Sequence, residues 1–149
     1  MAADSLLDAA RVDLEYAAFG LDSGDDGYIG VAGFHIQQAV EKTLKSVLRY
    51  FGIPYKKTRD IGSLLGQLGD KTSWISDELW DSLSVAAPLL NTWESRPRYN
   101  EESGYLVARR TALKYYELAK ELRHAAVAVV EDVKTEDTLV PSLSPLELE

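Results

Sequence analysis

The sequence has no cysteine, one methionine and two histidines, His35 and His124. Without cysteine there is no disulfide, no thiolate nucleophile and no cysteine-ligated zinc or iron–sulfur centre. A carboxylate-bridged dimetal site in a helical bundle needs Glu-x-x-His motifs on two helices, and none occurs. A nucleophilic serine needs a histidine base, and neither histidine has such a setting; His124, in LRHAAVAVV, reads as a partly buried helix residue. There is no Walker loop and no dinucleotide fingerprint, because the glycines punctuate helices rather than follow strands. No apolar run approaches the roughly 20 residues that span a bilayer. The opening MAADSLLDAARVDLEY has no basic segment followed by an apolar one, so a cytoplasmic protein without membrane contact is expected. Neither a cofactor nor a metal is expected.

What remains is an ordinary globular composition: 149 residues, 46% hydrophobic and 27% charged, enough for one domain that buries a real core. The formal net charge is −8, and the segment from Glu131 onward, with six acids against Lys134, carries −5 of it. That total weakens a sequence-independent hold on a phosphate backbone but leaves room for local basic patches at Lys42-Lys45-Arg49, Lys56-Lys57-Arg59 and Arg96-Arg98.

Helical periodicity runs through the chain. Leu6, Leu7, Ala10, Leu14, Ala17, Ala18 and Leu21 predict a first helix, capped by Asp4 or Ser5 and ending near Gly20. Asp22–Gly27 is a loop by composition; it lacks the alternating ligands and closing glutamate of a calcium loop and reads as a solvated connection. A second helix is predicted from Tyr28 or Ile29 to Phe51, closed by Gly52 and Pro54. Thr58 or Asp60 caps a short third helix carrying Ile61, Leu64, Leu65 and Leu68. Ser76 starts a fourth, with Leu79, Leu83, Ala86, Leu89 and Leu90 inside and Pro88 expected to break or bend it. Residues 91–104 read as a loop, and a long last helix follows from about Ser103 to Val133, with Leu106, Leu113, Tyr116, Leu122, Ala126, Val129 and Val133 inward. Nothing reads as a strand. The expected architecture is all-α, an antiparallel up-and-down bundle of about five helices over residues 1–133, with an acidic, flexible tail over 134–149.

The second helix carries the clearest functional signal. Ile36, Val40, Leu44, Val47 and Phe51 form a core stripe, while His35, Gln38, Lys42 and Lys45 recur at the same spacing on the other side, flanked by Phe34, Glu41 and Leu48. Lysines suit phosphate, and glutamine or histidine suits a base or ribose; a polar helix–helix contact uses the same residues. The loop around Trp93, Arg96, Arg98 and Tyr99 combines guanidiniums with aromatics, which suits phosphate recognition and base stacking and equally suits a plug for the end of the bundle.

Taken together, FHIQQAVEKTLKSVL, IPYKKTRDIGSLL and RYN before a long last helix resemble the HEPN family (higher eukaryotes and prokaryotes nucleotide-binding domain). His35, Gln37, Gln38, Glu41 and Lys42 match the family's second-helix motif, and Lys57, Thr58, Asp60 and Ile61 match its following loop, with Arg59 in place of a histidine. Arg98-Tyr99-Asn100 is similar to the family's Arg-Tyr-Pro. The resemblance implies a HEPN-like bundle that commonly forms a homodimer, and a role in a toxin–antitoxin-like system beside a nucleotidyltransferase partner, or RNase activity. RNase members carry an arginine followed four to six residues later by a histidine; after Arg96 or Arg98 the next histidine here is His124. The expectation is therefore a non-catalytic module that recognises a nucleotide, RNA or a nucleotidyltransferase through His35, Gln38, Lys42, Lys45, Arg59, Arg98 and Tyr99. Its alternatives are a metal-independent RNase toxin with a displaced acid–base set, such as His35 with Arg98, and a structural dimerisation protein whose second stripe is the subunit seam.

Overall fold

The computed structural model describes residues 2–93, 99–100, 104–105 and 108–139, with side chains for 2–93 and 108–131. Five helices carry the fold: α1 (Ala3–Ser23), α2 (Asp26–Tyr50), α3 (Ile61–Leu68), α4 (Asp77–Thr92) and α5 (Arg109–Leu139). Between α4 and α5, Tyr99–Asn100 (β1) and Gly104–Tyr105 (β2) pair antiparallel, a two-residue ladder that no alternation in the sequence announces. The architecture is the expected antiparallel all-α bundle.

The α1–α2 hairpin is its largest contact and is set by small residues. α1 runs through Gly20 instead of ending there, and a Cβ at Gly20 would lie 2.6 Å from the Tyr28 carbonyl oxygen of α2. Glycine is used at this position for close approach, and the helix ends instead at Gly24, φ 73°. Neither Asp4 nor Ser5 caps α1: its N-cap is Ala2, without a side-chain cap, and Asp4 lies in the first turn. Asp25 caps α2 by accepting from the Gly27 N–H at 2.8 Å, so this acid of the predicted solvated loop organises a helix start. α2 ends where Gly52 and Pro54 predict: Ile53 N–H reaches Leu48 O at 2.9 Å and Gly52 takes φ 70°.

Asp60 caps α3 through the Ser63 N–H at 3.2 Å, and Thr58 Oγ1 accepts from the Asp60 N–H at 3.0 Å. Asn91 at the end of α4 joins this cap, accepting from the Ile61 N–H at 2.9 Å and donating to Asp60 Oδ1 at 3.0 Å. α4 begins at the Ser76 cap and is not broken by Pro88; proline removes one helical donor, and the exposed Ser84 leaves its carbonyl open to water. α5 is tied to α1 at two points, Arg109 donating to Leu21 O at 3.3 Å and Arg123 to Leu7 O at 2.9 Å.

The core gathers Leu7, Leu14, Ile36, Val40, Leu44, Leu64, Leu83, Leu90 and Leu122. Of the positions expected inside α5, Leu122 and Ala126 are buried, whereas Leu113 is 37% exposed and Ala112 and Ala119 take the inner register in its place. α5 continues to Leu139 as a helix, and residues 140–149 of the expected tail lie outside the described residues. Among the described residues no helix is long and apolar enough to cross a membrane.

Candidate functional site

On α2 the two stripes separate as expected, with one shift. Ile36, Val40, Leu44 and Val47 are buried and Phe51 is half-buried, but Leu48, placed beside the polar stripe, is fully buried. The polar stripe is not scattered in water. It is gathered into two networks, each built on a buried carboxylate.

The first joins α1 to α2. Asp13, only 6% exposed, accepts from His35 Nδ1 at 2.8 Å and from Lys42 Nζ at 2.6 Å. A carboxylate so far from water needs donors, and two are supplied by residues two turns apart on the facing helix. The Tyr16 ring stacks on His35 at 5.1 Å and Phe34 meets it edge-on at 5.3 Å, so the imidazole is held on three sides.

The second network runs along α2 to the loop before α3. Glu41, 7% exposed, accepts from Lys45 Nζ at 2.7 Å and from Gln37 Nε2 at 3.4 Å. Gln37 also donates to Arg59 O at 3.3 Å and accepts from Gln38 Nε2 at 2.8 Å, which fastens the loop to the helix. Beside it, Glu41, Lys45, Lys57, Thr58, Arg59 and Asp60 line a cleft of about 530 Å³. Lys45 and Arg49 both lie 5.8 Å from the Tyr55 ring centre, and Arg49 Nε donates to Tyr55 Oη at 3.2 Å.

The residues expected to bind a ligand thus fall into two groups. Lys45 and Arg59 share the cleft, while His35 and Lys42 share Asp13, and Gln38 hangs from Gln37. Arg98 lies outside the described residues, and of Tyr99 only the backbone is described. Trp93 does not offer a stacking face: it is 3% exposed and packs on Tyr115 with ring centres 5.6 Å apart. His124 is exposed rather than partly buried. No cluster of three or more potential metal ligands occurs among the described residues. Asp13 is the member of the site that motif reading passes over, although it sits on the run Leu6, Ala10, Asp13, Ala17 that α1 buries.

Two solved structures are similar in fold. The chain is similar to TT1696 from Thermus thermophilus, with TM-score 0.66 and 26% identity over 83% of this chain and 94% of that one. ST0689, an archaeal HEPN homologue, gives TM-score 0.62 at 20% identity over 87% and 98%, a likeness of fold. No curated protein matches the chain. The HEPN domain family model matches residues 3–134, the bundle from α1 through most of α5, so the chain belongs to the HEPN domain family and is a helical module of that nucleic-acid-associated kind.

Proposed function

We propose that this protein is a binding module that holds a phosphate-bearing ligand, a nucleotide or a single-stranded RNA, in the cleft where α2 meets the loop before α3. The observation that carries this reading is the fixed basic corner. Lys45, Lys57 and Arg59 border one cleft, and the Gln37–Glu41 network holds both its helix wall and its loop wall in place. Lys45 is already matched by Glu41, so the unspent charge comes from Lys57 and Arg59, both exposed. Arginine and lysine at the mouth of a pre-formed cleft take phosphate oxygens with little reorganisation. Arg98 and Tyr99 belong to the same proposal as the elements expected to meet a base or a second phosphate. In a paired toxin–antitoxin-like setting, a nucleotidyltransferase partner would approach this corner, since such an enzyme brings a nucleotide with it.

Fluorescence anisotropy with ATP and with a labelled RNA of about ten nucleotides tests the reading. Replacing Lys57 and Arg59 together by alanine is expected to weaken RNA binding by more than tenfold. It should also lower the salt slope by roughly 0.7 for each phosphate that is no longer neutralised. No measurable binding at low salt, or binding unchanged in the double variant, overturns it. The RNA should be recovered intact; metal-free cleavage that disappears in His35→Ala replaces the binding-only reading with an RNase, the buried Asp13 then orienting a catalytic imidazole.

A further inference from the structure

Another hollow, of about 540 Å³, lies between α4 and α5 and shares no lining residue with the cleft of Lys57 and Arg59. α4 turns Leu83, Ala86, Ala87 and Leu90 to the core, and α5 turns Ala112, Ala119, Leu122 and Ala126 there. Their flanks are left facing one another across a groove whose apolar lining is Val85, Leu118 and Tyr115. Val85 is 79% exposed in the middle of α4, and Leu89, one turn on, is 36% exposed. A lone apolar residue on a surface is ordinary, but these continue along one helix face and into one hollow. A β-branched side chain also weakens a helix slightly, so a position meeting only water gains nothing from valine.

Charge in the groove is one-sided. Asp81 from α4 and Glu117 and Glu121 from α5 line it, against Lys114. Asp81, Lys114 and Glu121 have no ion pair or side-chain hydrogen bond among the described residues. Glu117 is matched loosely by Lys120 at 3.7 Å, and that ammonium also sits 5.2 Å from the Tyr116 ring centre. Asp77 and Glu78 are exposed on the preceding turn of α4. Both walls therefore offer acid that nothing neutralises. Like charge disfavours RNA, an anionic bilayer and the same face of another copy as occupants. It also disfavours the chain's own segment from Glu131 onward, which has six acids and one base. What it favours is an apolar surface flanked by lysine or arginine.

The walls also set the occupant's backbone. Two helices offer no free sheet edge, so an extended segment would leave its own donors and acceptors unmet, whereas a helix brings them already paired. From Lys114 to Glu121 is seven residues, about 10 Å of α5 or two turns of an incoming helix. Apolar side chains at steps of three and four would rest on Val85, Leu118 and Tyr115. Lysine or arginine stems beside them would cover the rim and carry their charge to Asp81 and Glu121.

We infer that the α4–α5 groove docks a basic amphipathic helix of a partner protein. The inference goes beyond the ligand reading and does not rest on it, and the phosphate cleft stays free when the groove is filled. A contact two turns long buries less than the roughly 1,200 Å² at which stable complexes begin, so the partner is held reversibly.

Two synthetic peptides of about 14 residues, near the length at which an isolated helix begins to hold, test this. Both carry leucine at steps of three and four, one with lysine between the leucines and the other with glutamate. In a ¹⁵N-labelled titration of the full chain at low salt, the lysine peptide is expected to bind with micromolar affinity. Its amide shifts should centre on residues 81–85 and 114–121, and the glutamate peptide should not bind. Asp81→Lys combined with Glu121→Lys, both at exposed positions, should reverse that preference. Val85→Ser should weaken the lysine peptide about tenfold, the loss expected for one apolar anchor, with circular dichroism unchanged in every variant. No binding by the lysine peptide, shifts centred on the exposed acids Asp22, Asp25 and Asp26, or indifference to these substitutions overturns the inference. So does an open-ended assembly of the protein alone, seen by sedimentation and dispersed by Val85→Ser, since the groove would then hold the basic end of another copy.

Discussion

Replacing Asp13 by asparagine isolates the charge that joins α1 to α2. The two side chains have nearly the same shape, so no cavity opens in a position that is 6% exposed. The amide oxygen can still accept from His35 Nδ1, which stands at 2.8 Å. The second oxygen becomes an NH₂ group, and it would face the Lys42 ammonium at 2.6 Å, donor against donor. Losing a charge-assisted bond of this kind costs about 1.5–3 kcal/mol. Two effects offset part of it. Lys42 keeps 29% of its side chain exposed and can swing its ammonium into water along a flexible stem. A neutral amide is also cheaper to bury than a carboxylate. The net loss should be about 1–2 kcal/mol, which for a chain of this length lowers Tm by roughly 2–8 °C. Urea unfolding followed by far-ultraviolet circular dichroism is the assay, with the midpoint falling at an unchanged m-value. In a cycle with Lys42→Met, the two substitutions should couple by about 1 kcal/mol, because the thioether removes the ammonium that the new amide opposes. An Asp13→Asn protein within about 0.5 kcal/mol of wild type, together with an additive cycle, refutes the reasoning: the carboxylate would then be a bystander, and His35 and Lys42 would owe their positions to packing alone.

Glu41→Gln should move stability and binding in opposite directions. It removes the Lys45 ion pair and lowers stability by about 1 kcal/mol, yet it takes a negative charge out of the phosphate cleft and should tighten RNA binding about fivefold, measured by denaturation and anisotropy on the same samples. Gly20→Ala should cost about 2–3 kcal/mol, because the new methyl meets a backbone oxygen at 2.6 Å that cannot move without opening the hairpin; a thermal melt indistinguishable from wild type would show that the helices part easily there.

These positions also mark what can and cannot be read from the chain. α2 is legible on both faces because its two stripes obey one local spacing, and the caps at Asp60, Ser76 and Gly52 follow rules that span three or four residues. Gly20 reads as a helix end because glycine weakens a helix locally, whereas its use here is set by a carbonyl eight residues later on another helix. Pro88 does not end α4 for a related reason: the lost donor is weighed against the whole of α4, whose inner residues Leu83, Ala86, Ala87 and Leu90 stay packed. Asp13 is the instructive miss, since its partners lie 22 and 29 residues away and no local rule reaches them. The spacing nevertheless holds a signal. Leu6, Ala10, Asp13, Ala17 and Gly20 fall on one buried run, so a charge occupies a core register of α1. Such a charge needs a donor from a neighbouring helix. The next helix offers His35 and Lys42 seven residues apart on one face, a pair of donors spaced to close on a single carboxylate. Reading a polar residue by the register it occupies, rather than by its own polarity, turns the apparent interruption of α1 into the anchor of the polar stripe.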